Sequence, residues 1–199
     1  MQFEHLGVRP RIHPTAVVAP TAVVSGDVTI GPECQVLHGA VVTAEGGPIT
    51  LGEHVIVMEN AVVRASAANA VHIGDHTLVG PMASISGAVV GAEVFLATGV
   101  RVFNGAVIGD RSEVRINAVV HLRTHLPERS VVPIGWVAVG DPAIVVSPDQ
   151  HDEIWARQQE LDFPGYVFGL DRDTPDLMVQ LTDRYGRSLS RHAADTRLA

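Results

Sequence analysis

The sequence predicts an all-β solenoid: a parallel β-helix of about six coils followed by a C-terminal α-helix. The first observation is a beat of six. Aliphatic residues recur at Ile12, Val18, Val24, Ile30, Val36 and Val42, then Leu51, Val57 and Val63, then Ile73, Val79 and Ile85, then Val90, Leu96, Val102, Ile108, Val114 and Val120. An amphipathic helix repeats its apolar face every three to four residues and a half-buried strand every two, so one anchor per six residues marks a stack of short strands. The second observation is what surrounds the anchors. Small residues precede many of them by two positions (Ala16, Ala22, Cys34, Ala40, Ala61, Ala83, Ala106, Ala118), and glycine follows several directly (31, 52, 74, 80, 91, 109). A small side chain fits a tight inner corner, and glycine is expected to tolerate the turn backbone. The third is composition: 46% of residues are hydrophobic but only 5% aromatic, as an aliphatic core in a narrow coil requires.

Three anchors make one triangular coil, so the eighteen anchors make about six. The beat breaks between Val42 and Leu51, between Val63 and Ile73, and between Ile85 and Val90. Insertions in a solenoid become loops on one face, often the binding face. The β-helix is assigned to residues 1–146. Within 147–170, Ser147-Pro148-Asp149-Gln150 reads as a capping box with proline at the first helical position, opening a helix that runs to about Leu161. Ile154, Trp155, Gln158 and Leu161 form its apolar stripe against the coil, and Phe163, Pro164, Tyr166 and Phe168 continue as an aromatic strap. Residues 171–199 are a polar tail, expected to be partly disordered or packed on a neighbouring subunit.

At 199 residues the chain holds one well-cored domain. Its net charge is −8 and all fourteen basic residues are arginine, so it offers no basic face for nucleic acid and no lysine for Schiff-base chemistry. No apolar run is long enough to span a membrane, and a cytoplasmic location is the expectation. The single cysteine, Cys34, falls at an inner-corner position and reads as a packing residue.

A solenoid stacks outward-facing positions into columns. Thr43, Arg64, Ser86, Phe103 and His121 each follow the third anchor of a coil, so they should stack at about 4.8 Å, the spacing of paired strands. His54 and His76 should likewise stack at an exterior turn, flanked by Glu33 and Glu93, and two imidazoles there could share a transition metal. His72 is read as solvated, and His5, His13 and His38 belong to no recognisable constellation.

From Ile12 to Leu161 the chain resembles the γ-class carbonic anhydrase family. Val24-Ser25-Gly26-Asp27-Val28 matches that family's opening motif and Val139-Gly140-Asp141-Pro142-Ala143 its closing one, which hexapeptide acyltransferases share. The resemblance implies a left-handed β-helix assembled as a homotrimer, with zinc held between subunits by three histidines. On the same alignment the ligand positions fall on Arg64, Pro81 and Ser86, the family's Arg-Gly-Asp on Thr43-Ala44-Glu45, and its Gln-Asp on Met58-Glu59. Arginine and proline offer no lone pair and serine is a poor ligand, so no metal and no cofactor are expected there, and carbon dioxide hydration by the zinc mechanism is not expected.

What can replace it is a guanidinium beside carboxylates. Arg64 is expected near Glu45 and Glu59, where it can clamp a small anionic or carbonyl ligand at the subunit interface. Glu59 or Glu45 would serve as acid or base and Ser86 and Thr43 as hydrogen-bond donors, with Met58, Pro81, Met82, Phe103 and Asn104 completing the binding surface. Such a site suits a proton-transfer lyase, isomerase or hydrolase. Two further readings stand beside it. One is a hexapeptide acyltransferase with His121 or His125 as base and Arg111, Arg115, Arg123 and Arg129 toward the phosphates of acyl-CoA. The other is a silent trimer in which Arg64 merely salt-bridges Glu59 or Glu45.

Overall fold

The computed structural model describes residues 1–198. It is a parallel β-solenoid with three sheets running along its length. The first sheet has ten strands, including Val23–Ser25, Val41–Glu45, Val62–Ser66, Ser84–Ser86, Arg101–Val102 and Val119–Val120 in spatial order. The second and third have seven strands each. That makes seven complete three-strand turns with extra strands at both ends, about eight turns rather than six. The beat goes on past Val120 through Leu126, Val132 and Ala138, all fully buried, which adds the turn beyond the six expected. The last of these is an alanine, which anchors its strand without a β-branched side chain.

Sixteen of the eighteen anchors are buried; Ile12 and Val18, in the first turn, are half-exposed because only a partial turn lies beneath them. The glycines after the anchors answer to a different need from the one expected. None of the six has a positive φ. Instead the next coil passes too close for a side chain: a Cβ on Gly31 would sit 2.2 Å from the carbonyl oxygen of Gly52. The left-handed corners are occupied largely by Glu33, His54, Asn60, His76, Met82, Glu93, Arg111 and Arg129, with φ between 53° and 60°. Cys34 is buried at its corner, its thiol donates to the Gly52 carbonyl at 3.0 Å, and burial pushes its pKa up.

The solenoid ends in an antiparallel pair, Val137–Val139 with Ile144–Val146. Helix α1 (His151–Gln158) packs on it through Ile154, beside Val139 and Val146. The helix starts three residues later than the capping box implied. Gln150 does accept from the Ser147 backbone N–H at 3.2 Å, but the Ser147 hydroxyl turns to the Asp149 carboxylate, so Pro148 lies outside the helix. Of the proposed stripe, Ile154 and Leu161 face the coil; Trp155 is exposed, with the Arg172 guanidinium 6.0 Å from its ring centre.

The tail carries more structure than its composition signalled. Helix α2 (Leu177–Leu189) and the turn Ser190–Ala194 run down the outside of the first sheet. The final strand Thr196–Arg197 then pairs antiparallel with Gln2–Glu4 at the first sheet's N-terminal edge. Contacts step down the ladder in order: the Tyr166 hydroxyl donates to Asn69 Oδ1, Arg64 donates to Tyr185, His192 meets Glu45, and Asp195 meets His5. No helix among the described residues is long and apolar enough to cross a membrane.

Candidate functional site

The column is built as its spacing required. Arg64 pairs in register with Thr43 on one side and Ser86 on the other, Ser25 pairs with Thr43, and the ring of Phe103 stacks on His121 at 5.7 Å. The two longer interruptions of the beat lengthen the strands here: Val41–Glu45 and Val62–Ser66 have five residues where most have two or three. Their extra residues reach past the coil edge and form one wall of a cavity of about 420 Å³. Glu45, Arg64, Ser86 and Asn104 line that wall, and Phe168, Tyr185 and Arg191 belong to the facing wall of strap and α2.

Four of the sequence-derived site residues are therefore brought together in one chain. Thr43 lies just below, buried, donating to Glu45 Oε1 at 3.1 Å. Met58, Glu59, Pro81 and Met82 sit at the corners leading into the first sheet, on the edge opposite Glu45 and Ser66, and take no part in the cavity. Phe103 continues the column above Ser86 and does not line the cavity either.

Within the chain Arg64 does not form the ion pair with Glu45 or Glu59 on which the silent-trimer reading rests. Among the described residues no salt bridge involves it, and its Nη1 donates to the Tyr185 hydroxyl at 3.3 Å. The reason is that Glu45 is already committed: His192 Nε2 lies 2.8 Å from its Oε2. His192 in turn places Nδ1 2.8 Å from Asp195 Oδ2, and the other oxygen of Asp195 is 2.6 Å from His5 Nδ1. The hydrogen bond to Asp195, then that to Glu45, holds the His192 pKa above its ordinary value. Burial pushes Asp195 up, but its bonds from His192 and His5 outweigh this and leave its carboxyl below the usual value. No periodicity in the sequence announces this cluster, since 190 residues separate His5 from Asp195 and 147 separate Glu45 from His192. The only local signal was His192 three residues before Asp195.

His54 and His76 do stack, with ring centres 4.8 Å apart and planes within 10°. No third metal-binding group joins them among the described residues; the group of three lies at His5, His192 and Asp195. His121 is half-buried above the cavity, its Nδ1 has no partner among the described residues, and burial lowers its pKa. The three positions that the resemblance assigns to zinc ligands carry no imidazole. Arg64 points a cation there, Pro81 has no side-chain donor, and Ser86 offers only a neutral hydroxyl.

Comparison with known proteins agrees with this architecture. Over 128 residues the chain is 30% identical to the mitochondrial γ carbonic anhydrase 1 of Arabidopsis thaliana, covering 61% of this chain and 46% of that one. Over 154 residues it is 27% identical to a carbonic anhydrase of Geobacillus kaustophilus, covering 77% and 81% respectively. The chain is thus a hexapeptide-repeat β-solenoid similar in sequence to γ-class carbonic anhydrases. It spans about half the length of the Arabidopsis relatives it matches. No family model matches the sequence. Among solved structures, a putative acetyltransferase of Bacillus cereus superposes with a TM-score of 0.63 at 21% identity, covering 82% of this γ-carbonic-anhydrase-like chain and 94% of the other, which speaks for the shared fold.

Proposed function

We propose that this γ-carbonic-anhydrase-like protein binds a small organic anion or carbonyl compound in the cavity under its C-terminal strap, and acts on it by proton transfer without zinc at the family's ligand positions. One observation carries the reading: Arg64 faces a 420 Å³ cavity with no carboxylate partner among the described residues, while Glu45 lines the same cavity. A guanidinium that presents its donors to a cavity is suited to bidentate capture of a carboxylate. The Phe168 and Tyr185 rings give the apolar remainder of such a ligand a surface, and Ser86 and Asn104 supply further hydrogen bonds. Glu45, steered by Thr43 and His192, is the group placed to take or return a proton.

On this reading the working unit is a homotrimer. Cyclic contact between copies is heterologous, one edge of the first sheet meeting another surface of its neighbour. That contact would bring Met58, Glu59, Pro81 and Met82 of one copy toward the Arg64 edge of the next, completing the site the single chain leaves divided.

The test is thermal denaturation of the wild type and Arg64→Met against a panel of small mono- and dicarboxylates, with carbon dioxide hydration measured in parallel. The expected result is a concentration-dependent rise in Tm for at least one carboxylate in the wild type and none in Arg64→Met. Hydration activity that survives in Arg64→Met, or ligand shifts indifferent to Arg64, would refute it.

A second reading, acyl transfer from acyl-CoA, is favoured by His121. A half-buried imidazole whose pKa is lowered by burial, with one nitrogen unpartnered among the described residues, suits a general base, and the Bacillus cereus structure of the same fold is a putative acetyltransferase. Stabilisation by acetyl-CoA that disappears in His121→Asn would select this reading over the first.

A further inference from the structure

We propose that His5, His192 and Asp195 form a binding site for a zinc-class divalent ion that clasps the two ends of the chain together. The three offer ligand atoms that all lie within 4.8 Å of one another. His5 is 2% exposed, and its Nδ1 is aimed at Asp195 Oδ1; the His192 Nδ1 is aimed at Oδ2 of the same carboxylate. The two rings stand 4.4 Å apart, so both nitrogens address one small region from the same side. Two imidazoles and one carboxylate are the donor set of borderline-soft ions such as zinc, cobalt and nickel.

The surroundings make this more than a chance meeting of polar groups. A histidine that ligates a metal through one nitrogen usually donates the other N–H to a carboxylate, which fixes its tautomer. Glu45 does this for His192: its Oε2 is 2.8 Å from Nε2, and its other oxygen is held by the Thr43 hydroxyl at 3.1 Å. The chain Thr43, Glu45, His192 leaves Nδ1 as the atom turned toward Asp195 and His5. Ser25, in register with Thr43, is a buried hydroxyl without a partner among the described residues, so the floor of this corner retains an unmet hydrogen-bonding capacity.

The present separations of 2.6 and 2.8 Å are those of hydrogen bonds. Tetrahedral zinc with nitrogen at about 2.0–2.1 Å holds its ligands about 3.3 Å apart, so the ion would replace the shared protons and push Asp195 outward by roughly 0.5 Å. Asp195 lies between a short helical turn and the terminal strand, at the end of a strap that closes over the cavity. An ion here would therefore pin α2 in place. The site differs from the one that zinc occupies in the family by resemblance, and it does not depend on the chemistry assigned to the cavity.

The test uses the full chain without an affinity tag, stripped with chelator and titrated with zinc by calorimetry and with cobalt by visible absorption. The expected result is one ion per chain, a rise in Tm, and a cobalt band of tetrahedral intensity. His5→Gln, His192→Gln and the isosteric Asp195→Asn should each weaken binding at least 100-fold, and Glu45→Gln by about 10- to 100-fold. Arg64→Met and the double variant His54→Gln, His76→Gln should bind as the wild type does. Circular dichroism identifies any variant that has not folded, in which case Asp195→Asn decides. Absence of stoichiometric binding, or binding lost with His54 and His76 rather than with Asp195, overturns the proposal.

Discussion

Gly105 should be energetically coupled to Tyr166, because the strap lies on the coil at a point where a Cβ does not fit. A Cβ at Gly105 would stand 2.3 Å from the Tyr166 hydroxyl and 3.3 Å from the ring carbon bearing it, and Gly105 has a φ of +74°. Gly105→Ala therefore incurs two costs: about 1–2 kcal/mol for an alanine held in the left-handed region, and about 0.5–1.5 kcal/mol for the Tyr166–Asn69 hydrogen bond that breaks when the hydroxyl is displaced. Tyr166→Phe alone removes only the hydrogen bond. In the double variant the hydroxyl is gone, the remaining contact at 3.3 Å needs a shift of a few tenths of an ångström, and the hydrogen bond is lost once rather than twice beside the backbone cost of Gly105→Ala. Urea denaturation of the four proteins should thus give a double-variant loss smaller than the sum of the single losses by about 0.5–1.5 kcal/mol. Hydrogen exchange should show faster opening of residues 163–170 in Gly105→Ala. Strict additivity, with unchanged exchange in the strap, would refute the contact.

Further predictions address the solenoid and its histidine. Leu126→Ala, in the seventh turn and fully buried, should cost about 2–5 kcal/mol in a denaturant titration, whereas a loss below 1 kcal/mol would mean that this turn is not part of the cooperative core. Gly31→Ala places a methyl against the backbone of the next coil, 2.2 Å from the Gly52 oxygen, so the coils must part. Its Tm should fall well below that of Gly186→Ala, where nothing lies within 4 Å of a Cβ and φ is not positive. Burial depresses the His121 pKa below 6.5, so the unfolded chain takes up a proton there before the folded one does. The resulting stability is present above pH 6.5 and is lost as pH falls through the folded-state value. His121→Gln should flatten that part of the stability–pH curve, and an unchanged slope would sink the assignment.

The solenoid was legible because every turn repeats the same steric problem. A narrow three-sided coil admits one aliphatic side chain per strand, so Val63, Val79 and Ile85 announce their burial from spacing alone, and the stacking of Thr43, Arg64 and Ser86 follows from it. In the seventh turn Leu126 and Val132 keep the step of six, and only Ala138 fills its inward position with a side chain too small to stand out. The glycine rule was legible and its cause was not. Whether Gly31 serves a turn or a close approach depends on where the carbonyl of Gly52 lies in the next coil.

The candidate site divides in the same way. The amino-acid sequence by itself determined the strand positions of Glu45, Arg64 and Ser86, because periodicity carries register, and register carries columns. Only the tertiary structure decided that α2 descends the first sheet, that Glu45 is taken up by His192 rather than by Arg64, and that His5 meets Asp195. Those partners are brought together when the terminal strand pairs with Gln2–Glu4, closing a loop of nearly the whole chain. Residues so far apart leave no periodic trace, since their contact is fixed by the packing of one surface on another and not by any local repeat.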